Sequence, residues 1–275
     1  MDENFYEFFE SVNYASEDQV REYRAIYLSY VKPILGFVDK PLAFDFGCGR
    51  GEWLDMLREL GFQVKGVDVD QGMLKLAQQK ELDVELGDAS EFLKKIPSQS
   101  VAVVSAFHVL EHLKFDKIVE FFRESRRVLI PGGILIAETP NPENLFVITS
   151  NFYLDHTHIR PIPILQMINL ARYFGYEKYS IIRLQEEKDL YHKEDVTFRD
   201  LFYGVSKDYG IIAQNPGGVE GLIEAVDHPL RYETGIGIED VIKRLDNRME
   251  NLAKKVRELS KGTEPAHNDE NPFDH

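Results

Sequence analysis

The sequence predicts an α/β protein built on a parallel sheet with helices on both faces, and three observations carry that expectation. First, from Pro41 onward short apolar runs alternate with amphipathic stretches: LAFDF, GEWLDMLRELG, FQVKGVDV, GMLKLAQQK, DVELGD, ASEFLKKI, SVAVVSAF, KIVEFFRESRRVLI and GILIAET. Strands separated by helices pair in parallel, because each crossover returns the chain to the edge where the previous strand began. Second, a glycine-rich turn, Gly47-Cys48-Gly49-Arg50-Gly51, joins the first apolar run to the first amphipathic one. Third, three successive strand candidates close on an acid, at Asp45, Asp68 and Asp88, which gathers carboxylates along one edge.

Taken in chain order, residues 4 to 37 are rich in aromatics (Phe5, Tyr6, Phe8, Phe9, Tyr14, Tyr23, Tyr27, Tyr30), and Ser16 before Glu17 and Asp18 has the chemistry of an N-cap. Residues 1–37 therefore read as a helical flank, with one helix ending near Pro33. The alternating segment and its continuation fill residues 38–215. Within it, Pro131-Gly132-Gly133 marks a break between helix and strand. Then come the Pro- and Asn-rich TPNPENLF, the histidine segment NFYLDHTHIRP, a helix from about Pro163 to Phe174, and the strand candidates YSIIRLQ and DYGIIAQ. Residues 216–237, with their glycines and prolines, read as a linker. After them Ile238, Ile242, Leu245, Met249, Leu252, Val256 and Leu259 step by 4, 3, 4, 3, 4 and 3, a heptad seam that predicts a coiled-coil helix over 238–261. The polar tail, 262–275, has too little apolar content to fold.

Composition narrows the function classes. With 275 residues, 43% of them apolar, a sizeable core is available. A formal charge of -15, with no cluster of Lys and Arg, argues against a surface that tracks nucleic acid. Cys48 is the only cysteine, which excludes an internal disulfide framework and a multi-cysteine zinc site. No apolar run approaches the roughly 20 residues that cross a bilayer, and the start MDENFYEFFE lacks a basic signal region. The expected setting is cytoplasmic, or peripheral at an inner membrane.

The turn and the acids also carry chemistry. The glycine spacing is G-x-G-x-G, and an acid stands two residues before it. A pyrophosphate needs helix-terminal NH groups and no neighbouring carboxylate, whereas Asp45 suits a cationic amino-acid headgroup. Asp68, about 20 residues beyond the turn, can accept from both hydroxyls of a ribose. Asp70 falls one step past the strand end and is expected to cap the helix starting at Gln71. Met73 can pack on an adenine face, and Asp88 in Leu86-Gly87-Asp88-Ala89 can accept from its exocyclic amine.

With these motifs in order, residues 41 to 140 resemble the class I S-adenosylmethionine-dependent methyltransferases. The resemblance implies a Rossmann-like, doubly wound, seven-stranded and mostly parallel sheet, with S-adenosyl-L-methionine as cofactor. It puts Gly47, Cys48 and Gly49 along the methionine portion, Asp68 and Val69 at the ribose, Asp88 and Ala89 at the adenine, and Phe107 and His108 beside the sulfonium.

The acceptor side is read from two further segments. Methyltransferases acting on base amines commonly carry an Asn/Asp-Pro-Pro-aromatic motif after the fourth strand, and this chain has Ala106-Phe107-His108-Val109-Leu110-Glu111-His112-Leu113 instead. That points toward an oxygen or carbon acceptor. A hydroxyl must lose its proton as the new bond forms, and imidazole titrates in the right range, which makes His112 one candidate base. In Asp155-His156-Thr157-His158 the candidates are His156 or His158 as base or substrate ligand and Asp155 as orienting acid. Phe152 and Tyr153 beside them suit a sugar face. A second arrangement takes Glu111 and His112 with His156 or His158 as ligands of a divalent metal. Some RNA-end and quinone-pathway methyltransferases carry a similar Glu-His pair, but His108 stands where they have an acid, so a metal is not the favoured expectation.

The runs DFGCGRGEWL, FHVLEHL, ETPNPENL, NFYLDHTHIRP and DYGIIAQ resemble bacterial methyltransferases of O-antigen and other cell-surface polysaccharide synthesis, some of which terminate chains. This narrower resemblance implies a sugar hydroxyl on a glycan or lipid-linked glycan as acceptor. It also implies a homo-oligomer or a partner protein held through the coiled coil. The competing expectations are a small-molecule O-methyltransferase of quinone or secondary metabolism, and a non-catalytic scaffold that kept the cofactor fold.

Overall fold

A computed structural model describes residues 15–230 and 233–261. The expectations for the aromatics from Phe5 to Tyr14 and for the tail 262–275 lie outside the described residues. The flank begins as expected: Ser16 caps helix α1 (Glu17–Arg24) with a reciprocal capping box to Gln19. The helix does not run on to Pro33. Short helical turns follow it through Gly36, and Pro33 occupies the first positions of the last turn, where its missing N–H costs no bond.

The expected sheet has seven strands: β1 (Leu42–Phe46), β2 (Gln63–Asp68), β3 (Val84–Leu86), β4 (Val101–Phe107), β5 (Leu129–Pro140), β6 (Lys178–Leu184) and β7 (Asp208–Gln214). Their order is β3-β2-β1-β4-β5-β7-β6, and β7 alone runs antiparallel to its neighbours. Helices α2 (Glu52–Leu60), α3 (Gln71–Gln79), α4 (Ala89–Lys95) and α5 (Phe115–Val128) make the crossovers. β4 is buried at every position, as a central strand covered on both faces must be. One core cluster lies around Phe121, Phe122, Met167 and Tyr209, and a second around Trp53, Ile134 and Ile212. Tyr27, Tyr30, Val31 and Ile34 belong to the second cluster, so the N-terminal flank is part of the core.

Two expectations need correcting. Pro131-Gly132-Gly133 does not precede strand β5 but lies within it. The ladder passes from Val101–Leu129 to Val103–Ile134, and the intervening residues bulge, with Gly132 at φ +82°. Nor are residues 216–237 a linker throughout. After the short helices α6 (Leu145–Thr149) and α7 (Ile164–Tyr173), they contain helix α8 (Glu220–Leu230), whose Leu222, Val226 and Leu230 are buried in the second core cluster. Those residues step by four and make an apolar stripe, a short period hidden between glycine-rich ends.

The heptad segment is a single helix, α9 (Ile238–Lys261), with the expected bounds. Its first half is pinned to the domain: Val241 is buried with Leu190, Val196 and Val205, and Arg244 donates to the carbonyls of Leu190 and Lys193. Further along the seam, Met249, Leu252 and Val256 are 54, 46 and 64% exposed. Of the seam itself, Ile238 packs against that cluster and Leu245 is buried, so the seam serves as domain core at one end and as open surface at the other.

Candidate active site

The glycine turn lies between the ends of β1 and β2. Gly47 and Cys48 donate to the carbonyl of Val67 at 2.9 and 3.2 Å, so the turn is tied to the neighbouring strand. Gly47 has φ +71°, and a Cβ there would stand 2.4 Å from Cγ2 of Val109, which leaves glycine as the residue that fits. Asp68 closes the arrangement with both carboxylate oxygens: Gly49 donates to Oδ2 at 2.7 Å and the amide of Asp70 to Oδ1 at 2.8 Å. The carboxylate thus shapes the turn as well as offering its remaining lone pairs. Beside it Val69 is exposed.

The other expected cofactor residues fall around this turn. Asp45 is 1% exposed and accepts from Ser105 Oγ at 2.6 Å. Burial raises its carboxyl to about 7, against the pull of Arg24 and of the Ser105 bond. Cys48 is buried and burial raises its thiol, so it offers bulk and backbone rather than a nucleophile. Asp70 accepts from the amide of Met73 at 2.9 Å and caps α3 as expected. Asp88 is also a cap, accepting from Ser90 and Glu91 at the start of α4, with Ala89 buried behind it.

At the end of β4 Phe107 is buried under Arg24, whose guanidinium lies 4.4 Å from the ring centroid. His108 follows with φ +54°, a left-handed conformation that a non-glycine residue holds only when its surroundings demand it. Those surroundings are three carboxylates: Glu138 3.1 Å from Nε2, Glu111 3.4 Å from Nδ1, and Asp208 3.9 Å from Nε2. Desolvation works against a charged ring, but the acids outweigh it and hold the His108 pKa well above the ordinary value. Tyr27 donates to Glu138 at 2.5 Å and Gln185 to Asp208 at 2.6 Å. Burial raises Asp208 to about 7 even with His108 beside it.

The acceptor-side candidates meet one helical turn later. A ligand-capable atom from each of Glu111, His112 and His158 lies within 4.8 Å of the others. His158, not His156, completes this group; His156 is exposed on the same loop. The loop is pinned by Ile159, whose amide donates to the Glu111 carbonyl at 2.8 Å.

Hydrogen bonds fix the state of both rings. Thr157 donates its single hydroxyl proton to Asp155 Oδ1 at 2.6 Å, so at 2.8 Å from the same hydroxyl His112 Nδ1 must be the donor. His158 Nδ1 lies 2.6 Å from the carbonyl of Phe152, which can only accept. Each ring therefore carries its proton on Nδ1 and leaves Nε2 as a lone pair. Burial lowers the pKa of His112, with Glu111 opposing, and hydrogen bonds from Thr157 hold Asp155 low despite partial burial. Phe152 is 2% exposed and packs on His158, so of the two expected sugar-stacking rings only Tyr153, at 65%, faces outward.

Residues 44–137 match the family model described as a methyltransferase domain. Over 133 residues the chain is 32% identical to a probable S-adenosylmethionine-dependent methyltransferase of Mycolicibacterium smegmatis, a match covering 48% of this chain and 50% of that one. Over 102 residues it is 30% identical to a ubiquinone biosynthesis O-methyltransferase of a Caulobacter species, covering 35% of this chain and 40% of the relative. The chain thus spans half or less of these curated relatives. A solved S-adenosylmethionine-dependent methyltransferase from Archaeoglobus fulgidus superposes with a TM-score of 0.66 at 28% identity, over 76% of this chain and 99% of the other. Residues 44–137 carry the likeness to methyltransferase domains, and the fold around them is that of S-adenosylmethionine-dependent methyltransferases.

Several residues of this methyltransferase domain's cleft escaped the sequence. Glu138 obeys the same rule as Asp45 and Asp68, an acid at the carboxyl end of a strand, and GILIAET displays it. Asp208 opens its strand, and it joins the cleft only because β7 runs antiparallel. Arg24 and Tyr27 come from the flank and had no signal beyond aromatic content. Thr157 sits between two histidines, and a lone hydroxyl there carries no pattern in the sequence.

Proposed function

We propose that this chain transfers the methyl group of S-adenosylmethionine to an oxygen acceptor. The observation that carries the donor half is the clamp of Asp68 on Gly49, which holds a glycine turn open at the strand ends while leaving carboxylate lone pairs for a ribose. Asp45 supplies negative charge behind the turn for the amino-acid end of the donor. Phe107 and His108 border the transfer point between the two halves of the cleft. The acceptor half is the face formed by Glu111, His112 and His158, whose lone pairs suit a hydroxyl that must be oriented and relieved of its proton. Attack on the methyl is in line, and alignment supplies most of the rate because the sulfonium is already a good leaving group.

The name of the Caulobacter relative, an O-methyltransferase, supports oxygen as the acceptor atom. A sugar hydroxyl of a bacterial surface glycan is the narrower reading, supported by the polar loop 155–158 and the outward ring of Tyr153; a small-molecule phenol or diol is its competitor. The exposed part of the α9 seam is where a second copy would join. The test is transfer of labelled methyl groups to a panel of glycans, diols and catechols, read by mass spectrometry. Methylation at oxygen supports the proposal; methylation confined to amines in a matched amine panel overturns it.

A further inference from the structure

Arg160 ends the loop that carries His158, and the fold leaves it without a counter-charge. Its Nε and Nη2 are buried with no hydrogen-bond partner, and no carboxylate among the described residues pairs with it. Acids are plentiful in this chain, 47 against 32 Lys and Arg, and Arg21, Arg50, Arg127 and Arg183 each face a carboxylate at 3.1 Å or less. The acid of its own loop, Asp155, is already engaged by the amide and hydroxyl of Thr157. The Arg160 guanidinium instead lies 4.7 Å from the ring centroid of Phe115, the first residue of α5. A guanidinium cannot shed its proton to escape the cost of burial, so these N–H groups call for an acceptor. Arg126 also has a buried unpartnered nitrogen, but it lies near the other end of α5, away from the edge where β4 ends.

We infer that Arg160 binds an oxyanion of the acceptor, a phosphate or carboxylate on the same molecule as the oxygen to be methylated. Its neighbour Ile159 donates to the carbonyl of Glu111, and Phe115 stands three residues beyond His112. The guanidinium therefore borders the face formed by Glu111, His112 and His158. Phe115, 43% exposed, backs the guanidinium without consuming any of its donors, so the fork remains free for two parallel bonds to an oxyanion. Helix α5 also starts there without a side-chain cap, and its positive end adds an attraction that Asp116 in the first turn partly offsets. The inference rests on reading this cleft as the acceptor side, and it narrows the acceptor from a neutral alcohol to an anionic one. Held at its charged end, such a molecule presents its hydroxyl to the histidines. Arg160 is then a specificity residue, which touches the acceptor but not the oxygen that reacts.

The experiment saturates the full chain with S-adenosylhomocysteine, which fills the donor side, and titrates phenyl phosphate and benzoate in separate arms followed by ligand-observed NMR. Saturable binding at a single site is expected, and the stronger arm tells a phosphate from a carboxylate. Arg160→Gln should weaken that ligand by roughly tenfold or more, the worth of its charge-assisted bonds, with S-adenosylhomocysteine affinity retained. Arg160→Lys keeps the charge, guards against misfolding of the neutral variant, and should weaken the ligand less than Arg160→Gln does, because an ammonium lacks the planar fork. Arg126→Gln should leave binding unchanged. A wild-type chain that binds S-adenosylhomocysteine but neither phenyl phosphate nor benzoate overturns the inference and leaves the methyltransferase reading standing. Binding that is indifferent to both Arg160→Gln and Arg160→Lys overturns it as well.

Discussion

Asp45, buried, and Asp68, half-buried, are acids beside one glycine turn, and their surroundings give them different work. Asp68 receives two backbone amides, which work against the burial that still raises its pKa. Asp45 receives one hydroxyl, and burial lifts it to about 7. A cationic headgroup arriving nearby favours the ionised form. Below pH 7 binding must therefore expel a proton, and S-adenosylhomocysteine affinity should rise with pH up to about 7 and then level off. Calorimetry across pH 5.5 to 8.5 checks the slope, which should be clearly reduced in Asp45→Asn. The folded chain holds that proton more tightly than the unfolded one, so ionisation of Asp45 costs stability as pH rises through the same window. Asp45→Asn should accordingly melt higher than wild type at pH 8 in the absence of cofactor. For Asp68→Ala the expected loss is about 1.5–3 kcal/mol of cofactor binding, the worth of hydrogen bonds to a charged group, or roughly ten- to 150-fold in Kd. An unchanged Kd would remove Asp68 from the ribose.

At the scale of elements, legibility followed period length and strand direction. The parallel strands announced themselves because each is a short apolar run ending in punctuation, and the turn, Asp45, Asp68 and Asp88 were placed by that rhythm. Helix α8 was missed because three buried positions, Leu222, Val226 and Leu230, are too few to outweigh the glycines around them. Core burial says they matter: Leu222→Ala should cost about 2–5 kcal/mol, seen as a lower urea midpoint with an unchanged slope. The network of His108, Glu138 and Asp208 was illegible for a different reason, since it depends on the antiparallel sense of β7, a property of the closed sheet rather than of DYGIIAQ. Helix α9 has the expected bounds, but the sequence cannot tell a seam buried on its own domain from one that seeks a partner, and α9 does the first over Ile238 and Leu245. If its exposed half joins a second copy, light scattering should give a lower mass for a chain ending at residue 246 than for the full chain. Equal masses would make the exposed seam a surface feature of a single chain.

Across the whole molecule, the proposed function divides the cleft into a donor half on β1, β2 and β3 and an acceptor half on β4, β5, β7 and the 155–158 loop. The net charge of -15 and the buried carboxylates near the cleft favour a cationic donor over an anionic one. Among the described residues no helix is long and apolar enough to cross a membrane. Everything on the acceptor side presupposes that the glycine turn receives S-adenosylmethionine, and isothermal titration of the full chain with S-adenosylhomocysteine tests that most directly. One binding site per chain, weakened at least tenfold by Asp68→Ala, is the predicted result. A folded chain that releases no heat and binds no S-adenosylhomocysteine would contradict it.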